Sequence, residues 1–192
     1  MSYGEESDKP SLQTCWKAYM MALKKKPVLT KAVTSGVIGM AGNLTAQLIN
    51  LRSGEIDALS IPTIARYGAF GVLITGPVVH LFYKWLDAKF PPSKDKESHI
   101  KRFFVERLLL APFFSFAFHA FMAALQYKSI APTVMTVRAY FWPTLMMNWK
   151  YWTVLQFIIV NYVPRDLKPL FGGLCGLLWN IMLSTGILQT ST

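Results

Sequence analysis

Apolar residues in this chain gather into blocks long enough to cross a bilayer, and each block carries a stripe of small or polar residues at helical spacing. A transmembrane helix needs about 20 mostly apolar residues. Segments 28–51, 61–86, 103–126 and 170–188 meet that length and are read as four spans. A fifth apolar segment, 140–163, holds Trp142, Trp149 and Trp152, with Pro143 at a position that suits a helix start. Lys150 lies near its middle, where an ammonium costs about 2.5–3.5 kcal/mol on insertion scales. The segment is therefore either interfacial, or membrane-embedded with Lys150 facing a wet interior. Ahead of the first span, segment 11–24 sets Leu12, Trp16, Tyr19, Met20 and Leu23 on one helical face. That pattern predicts an amphipathic helix in the interface, ended by Lys24-Lys25-Lys26-Pro27. Residues 1–10 read as a disordered N-terminus, and 11–188 as one domain. The predicted fold class is an all-α polytopic transmembrane helix bundle.

The stripes constrain that bundle, because lipid tails give no reward for Gly, Ser, Asn, Gln or His. Gly36, Gly39, Asn43, Gln47 and Asn50 share a face of the first span, and Gly68, Gly71 and Thr75 a face of the second. Pro112, Ser115, His119, Met122 and Gln126 mark the third span. In the last, Gly172, Gly176, Asn180 and Ser184 recur every fourth residue and open with a G-x-x-x-G motif. Two readings follow. In one, the stripes are packing surfaces, with Gly36, Gly39, Gly172 and Gly176 letting backbones approach. In the other, Asn43, Gln47, His119 and Asn180 line a water-accessible path, joined by Lys150 if segment 140–163 faces it. A neutral polar lining suits small uncharged or weakly charged metabolites, whereas ion selectivity would want rings of charge or carbonyls.

Composition supports the membrane reading: 53% of the 192 residues are hydrophobic and only 16% charged, against about 25% charged in soluble domains. The formal net charge of +10 first suggests nucleic acid. However, the cations flank apolar runs, which fits membrane topology and contact with anionic lipid, and no nucleic-acid partner is expected. The N-terminal segment and the basic loop 84–102 are two spans apart and share a side. The positive-inside tendency makes that side, with the N-terminus and loop 87–102, cytosolic. Residues 2–10 include Glu5, Glu6 and Asp8 and no arginine or apolar core, so neither a secretory signal nor a transit peptide is expected there.

Candidate chemistry is sparse. The sequence has no G-x-S-x-G, H-E-x-x-H or Walker motif, and His80, His99 and His119 have no carboxylate at i+3 or i+4. Cys15 and Cys175 fit no metal spacing and read as small apolar packers. No enzyme activity, catalytic residue, metal or cofactor is expected. Arg66, Glu106 and Arg107 sit in first turns, where snorkelling is cheap. Glu106 either pairs with Arg66 or Lys150 across the bundle or is solvated.

Several blocks carry a family resemblance. Pro27-Val-Leu-Thr-Lys31, Thr34-Ser-Gly36, Gly42-Asn43, Ala46-Gln47, Thr75-Gly-Pro77, His80, Phe82-Tyr83 and Ala111-Pro112 begin it. Phe141-Trp-Pro143, Met147-Asn-Trp149, Trp152, Leu155-Gln-Phe157, Asn161-Tyr-Val-Pro164, Trp179 and Leu183 complete it. Together they resemble the peroxisomal membrane protein 2 family, which is shared with the mitochondrial inner-membrane Mpv-type proteins. The first-helix wording and the Asn-Tyr-Val-Pro ending look like the peroxisomal branch. Glu106-Arg107 replaces an expected Asp-Arg, and Met146 replaces an expected basic residue. The resemblance implies a homo-oligomeric, pore-forming peroxisomal membrane protein that lets small water-soluble metabolites diffuse without selectivity. It also implies recognition by a peroxisomal membrane-protein import receptor. A scaffolding membrane protein, or a mitochondrial inner-membrane relative, is the alternative.

Overall fold

A computed structural model describes residues 12–91, 96–127, 129–162 and 168–185. The disordered segment expected at 1–10 and the end of the last expected span lie outside them. Six helices run through the described residues: α1 (Leu12–Lys25), α2 (Pro27–Ser53), α3 (Ile61–Lys89), α4 (Glu97–Tyr127), α5 (Ile130–Asn161) and α6 (Lys168–Ser184). The described residues contain no strand. Helices α2, α3 and α4 are each long and apolar enough to span a membrane; α6 holds a shorter apolar stretch, Phe171–Ser184.

Local sequence sets the helix ends. Pro27 occupies the first turn of α2, where its missing N–H costs nothing. Gly54 closes α2 with φ at 77°, and its N–H returns to Leu51 O. Tyr19 of α1 shares a 3.5 Å hydrogen bond with Thr34 of α2, so α1 folds back beside it. Arg102 ties α4 to the end of α3 through Asp87 at 2.5 Å and through the Phe90 carbonyl, a cation at a helix C-terminus.

Two boundaries differ from the sequence expectation. Helix α5 starts at Ile130, ten residues before 140, and Pro143 lies inside it rather than at its start. Helices in apolar bundles tolerate an internal proline because neighbouring side chains re-satisfy the backbone. At 32 residues α5 extends for about 48 Å, well beyond the ~30 Å hydrocarbon core. The basic loop is also shorter than 84–102, since α3 runs to Lys89 and α4 is helical from Glu97.

Close backbone packing joins α2 to α3. A Cβ at Gly36 would lie 2.6 Å from Val72, and one at Gly39 would lie 2.8 Å from Tyr67 O. Added carbons at Gly71 and Gly76 would overlap the α2 backbone at Ser35–Gly36 and at Ala32. Gly42 makes the same accommodation for α6, since a Cβ there would lie 2.5 Å from Asn180 Cβ. Such contact replaces the hydrophobic drive that lipid removes. Tyr67, Phe70 and Phe118 form the aromatic core between α3 and α4, with edge-to-face rings 5.3 to 5.4 Å apart. Val33, Val37, Leu44 and Leu48 lie away from the α3 contact on α2 and are exposed. In a membrane protein those side chains meet lipid.

Candidate functional site

Two wide turns shape the interior. Helix α3 has one π-type turn at Gly71–Thr75, and α4 has another at Glu106–Leu110. Each ends on the residue before a proline, Gly76-Pro77 and Ala111-Pro112, and the N–H of that residue reaches back five positions, to Gly71 O and Glu106 O. Proline lacks the next N–H and crowds the preceding turn, and a widened turn relieves that crowding. In α4 the following five-residue bond would run from position 112 to Arg107 O, which Pro112 cannot supply. Trp149 of α5 fills the place, donating its indole N–H to Arg107 O at 3.0 Å.

Between the helices lies a cavity of about 360 Å3. Ser35 and Gly39 of α2, Tyr67, Phe70, Gly71 and Thr75 of α3, and Glu106, Arg107, Phe114 and Phe118 of α4 contribute to its wall. Thr144, Asn148 and Trp152 of α5 and Gly172, Gly176, Trp179 and Asn180 of α6 also border it. Both wide turns border it. The interior is mainly aromatic and aliphatic, with its charge at one end, where Arg107 and Glu106 lie beside Tyr83. Arg107 is only 8% exposed. Its Nη2 is 3.7 Å from Glu106 Oε1 and its guanidinium lies 5.3 Å from the Phe103 ring, while its Nε has no hydrogen-bond partner among the described residues. The Tyr83 hydroxyl bonds Glu106, so that carboxylate engages Tyr83 and Arg107 rather than Arg66 or Lys150.

The residues proposed from sequence as a lining have different neighbours. Of Asn43, Gln47, His119, Lys150 and Asn180, only Asn180 borders the cavity. Asn43 is buried and donates to Ser184 Oγ at 3.1 Å, joining α2 to α6. Gln47 accepts from Ser60 N–H at 2.6 Å and donates to Asn43 Oδ1 at 2.7 Å, fastening the start of α3. His119 Nε2 shares a 2.7 Å bond with Thr144 Oγ1 between α4 and α5. Lys150 is exposed on the outer side of α5 and is absent from the cavity wall. The glycines divide. Gly36 and Gly39 meet α3 closely, whereas a Cβ at Gly172 or Gly176 would touch nothing within 4 Å among the described residues, and both border the cavity. The G-x-x-x-G of α6 therefore leaves open space where close packing was expected. Cys175 is buried but Cys15 is exposed.

Sequence reasoning missed the charged end of the cavity. Glu106 and Arg107 read as snorkelling residues because they stand near the expected start of a span at 103. The helix begins earlier, which moves them inward. An adjacent acid and base inside an apolar run, followed by Pro112, was the available signal.

Comparison with known proteins bears on this architecture. Residues 123–184 match the Mpv17 / PMP22 family model. The chain is 37% identical over 170 residues to bovine peroxisomal membrane protein 2, covering 87% of this chain and 86% of that protein. It is 35% identical over 173 residues to PXMP2/4 family protein 3 of Dictyostelium discoideum, covering 89% of each. Protein sym1 of Schizosaccharomyces pombe is 26% identical over 181 residues, covering 86% of this chain and 87% of that one. No solved structure matches. At that identity and coverage, the chain belongs to the Mpv17/PMP22 family and is a helical membrane protein of that family.

Proposed function

We propose that this protein forms a pore in the peroxisomal membrane through which small metabolites diffuse, using the interior of the helix bundle. The observation that carries the reading is the cavity of about 360 Å3 bordered by residues of α2, α3, α4, α5 and α6. That volume lies at the lower end of the roughly 300–1,000 Å3 of small-molecule pockets, which suits small solutes. The name of the bovine relative, peroxisomal membrane protein 2, supports the organelle. The mitochondrial inner membrane, which the family resemblance also implies, is the alternative address. The proposal extends to a homo-oligomer, to delivery by a peroxisomal membrane-protein import receptor, to a cytosolic N-terminus and loop 87–102, and to transport without catalysis.

The decisive test is efflux from liposomes containing the purified protein, with neutral solutes of increasing size. Release that falls off with size supports the pore; release equal to that of protein-free liposomes rejects it. A scaffolding role has an observation of its own. Asn43, Gln47 and His119 are used in bonds between segments rather than at the cavity. That reading gains if the efflux test fails.

A further inference from the structure

Most of the cavity wall is apolar, and the cation at its charged end keeps one buried donor unpaired among the described residues. Arg107 is more than nine-tenths buried, and its Nε is unpaired among the described residues. The nearest carboxylate oxygen on Nη2, Glu106 Oε1 at 3.7 Å, is beyond hydrogen-bond reach. Glu106 is itself engaged by the Tyr83 hydroxyl. A guanidinium presents five donors in a planar fork that matches a carboxylate, and a buried donor left unpaired is costly. From Arg107, the wall formed by α4 continues past Leu110 and Phe114 to Phe118, about 16 Å along the helix axis.

We propose that this cavity binds amphipathic monocarboxylates of short to medium chain length, with the carboxylate on Arg107 and the tail toward Phe114 and Phe118. The inference rests on the reading of the cavity as the solute path and names the class of solute it prefers. Three features select that class. The fork of Arg107 fixes the head group. The aromatic and aliphatic wall rewards an apolar tail and gives little to a sugar or polyol. The wall of about 16 Å from Arg107 to Phe118 covers the chain of octanoate and falls short of an extended palmitate. A dicarboxylate is disfavoured because its second charge would be buried against the apolar wall at Phe114 and Phe118, while Glu106, beside Arg107, weakens the site for every anion.

The test is a binding titration of the full-length protein in phosphatidylcholine nanodiscs, read by tryptophan fluorescence, since Trp152 and Trp179 border the cavity. Octanoate is expected to bind saturably and at least tenfold tighter than octanol, which has the tail without the charge. Arg107→Gln should weaken octanoate at least tenfold and leave octanol unchanged. Arg107→Lys, which keeps the charge without the fork, should weaken it several-fold and serves if the Gln variant does not fold. In the wild-type protein, octanoate but not octanol should raise the unfolding temperature. Equal affinity for octanoate and octanol, or an unaltered octanoate affinity in both variants, overturns the proposal. Palmitate binding as tightly as octanoate does so as well, since it would make the source a membrane-borne lipid. Liposome efflux of glycerol, run in parallel, separates the two readings. Glycerol release without octanoate binding keeps the pore and rejects this site. Octanoate binding without any release keeps the site and rejects the pore.

Discussion

The indole N–H of Trp149 donates to the main-chain carbonyl of Arg107 at 3.0 Å, at the place where Pro112 interrupts the hydrogen bonding of α4. One side chain of α5 thus satisfies the backbone of the wide turn that carries Arg107 into the cavity. A buried acceptor left without its donor costs about 1–3 kcal/mol. Trp149→Phe should therefore lower the unfolding temperature of the purified protein. Trp142→Phe, on an exposed part of α5, should leave it unchanged. Equal effects of the two would remove the special role of Trp149.

The glycines on the two sides of the bundle should respond in opposite ways. A side chain at Gly71 would collide with the α2 backbone at Ser35 and Gly36. Gly71→Leu should separate α2 from α3 and lower stability by about 1–3 kcal/mol or more, as overpacking does. At Gly176 an added carbon meets nothing within 4 Å among the described residues, and Gly176 borders the cavity. Gly176→Leu should keep the stability of the parent and slow solute efflux. Thermal unfolding and efflux measured on both variants check the pair.

Much of the bundle was legible in the sequence, because apolar block length and small-residue stripes obey lipid physics directly. The stripes of α2 and α3 led to Gly36, Gly39, Gly68 and Gly71, which lie in or beside the α2–α3 contact. The stripe could not say what each member does. Gly172 and Gly36 look alike in sequence, and only the neighbouring helix decides which one is covered. Asn43, Gln47 and His119 look equally able to line water or to bond another helix. Their partners Ser184, Ser60 and Thr144 lie 141, 13 and 25 positions away, beyond the reach of local pattern. The length of α5 was hidden by Pro143, which marks a helix start in soluble proteins and lies inside this helix.

Gln47 offers a test of the structural role of the α2 stripe. Its amide accepts from Ser60 N–H at 2.6 Å and donates to Ser60 O at 3.2 Å, closing the connection between α2 and α3. Gln47→Leu has a similar shape and neither bond. It should cost about 1–3 kcal/mol and speed hydrogen exchange in residues 54–60, while glycerol efflux stays near the parent rate. Unchanged exchange with altered efflux would return Gln47 to the solute path.

Lys150 tests the assignment of the wall from outside. It is exposed on α5 and borders no part of the cavity. Lys150→Glu and Lys150→Gln should therefore both conduct like the parent, with the same ratio of anion to cation flux in dilute salt, where electrostatic preferences are least screened. A reversal of that ratio in the Glu variant would place Lys150 on the path.

The most direct measurement of the central claim is the efflux of neutral solutes of graded size from liposomes holding the wild-type protein or Gly176→Leu. A path through the cavity should release glycerol quickly and retain larger sugars, and the added leucine should slow glycerol at unchanged protein stability. Glycerol release no faster than from protein-free liposomes, or equal through both proteins, would contradict conduction through this cavity.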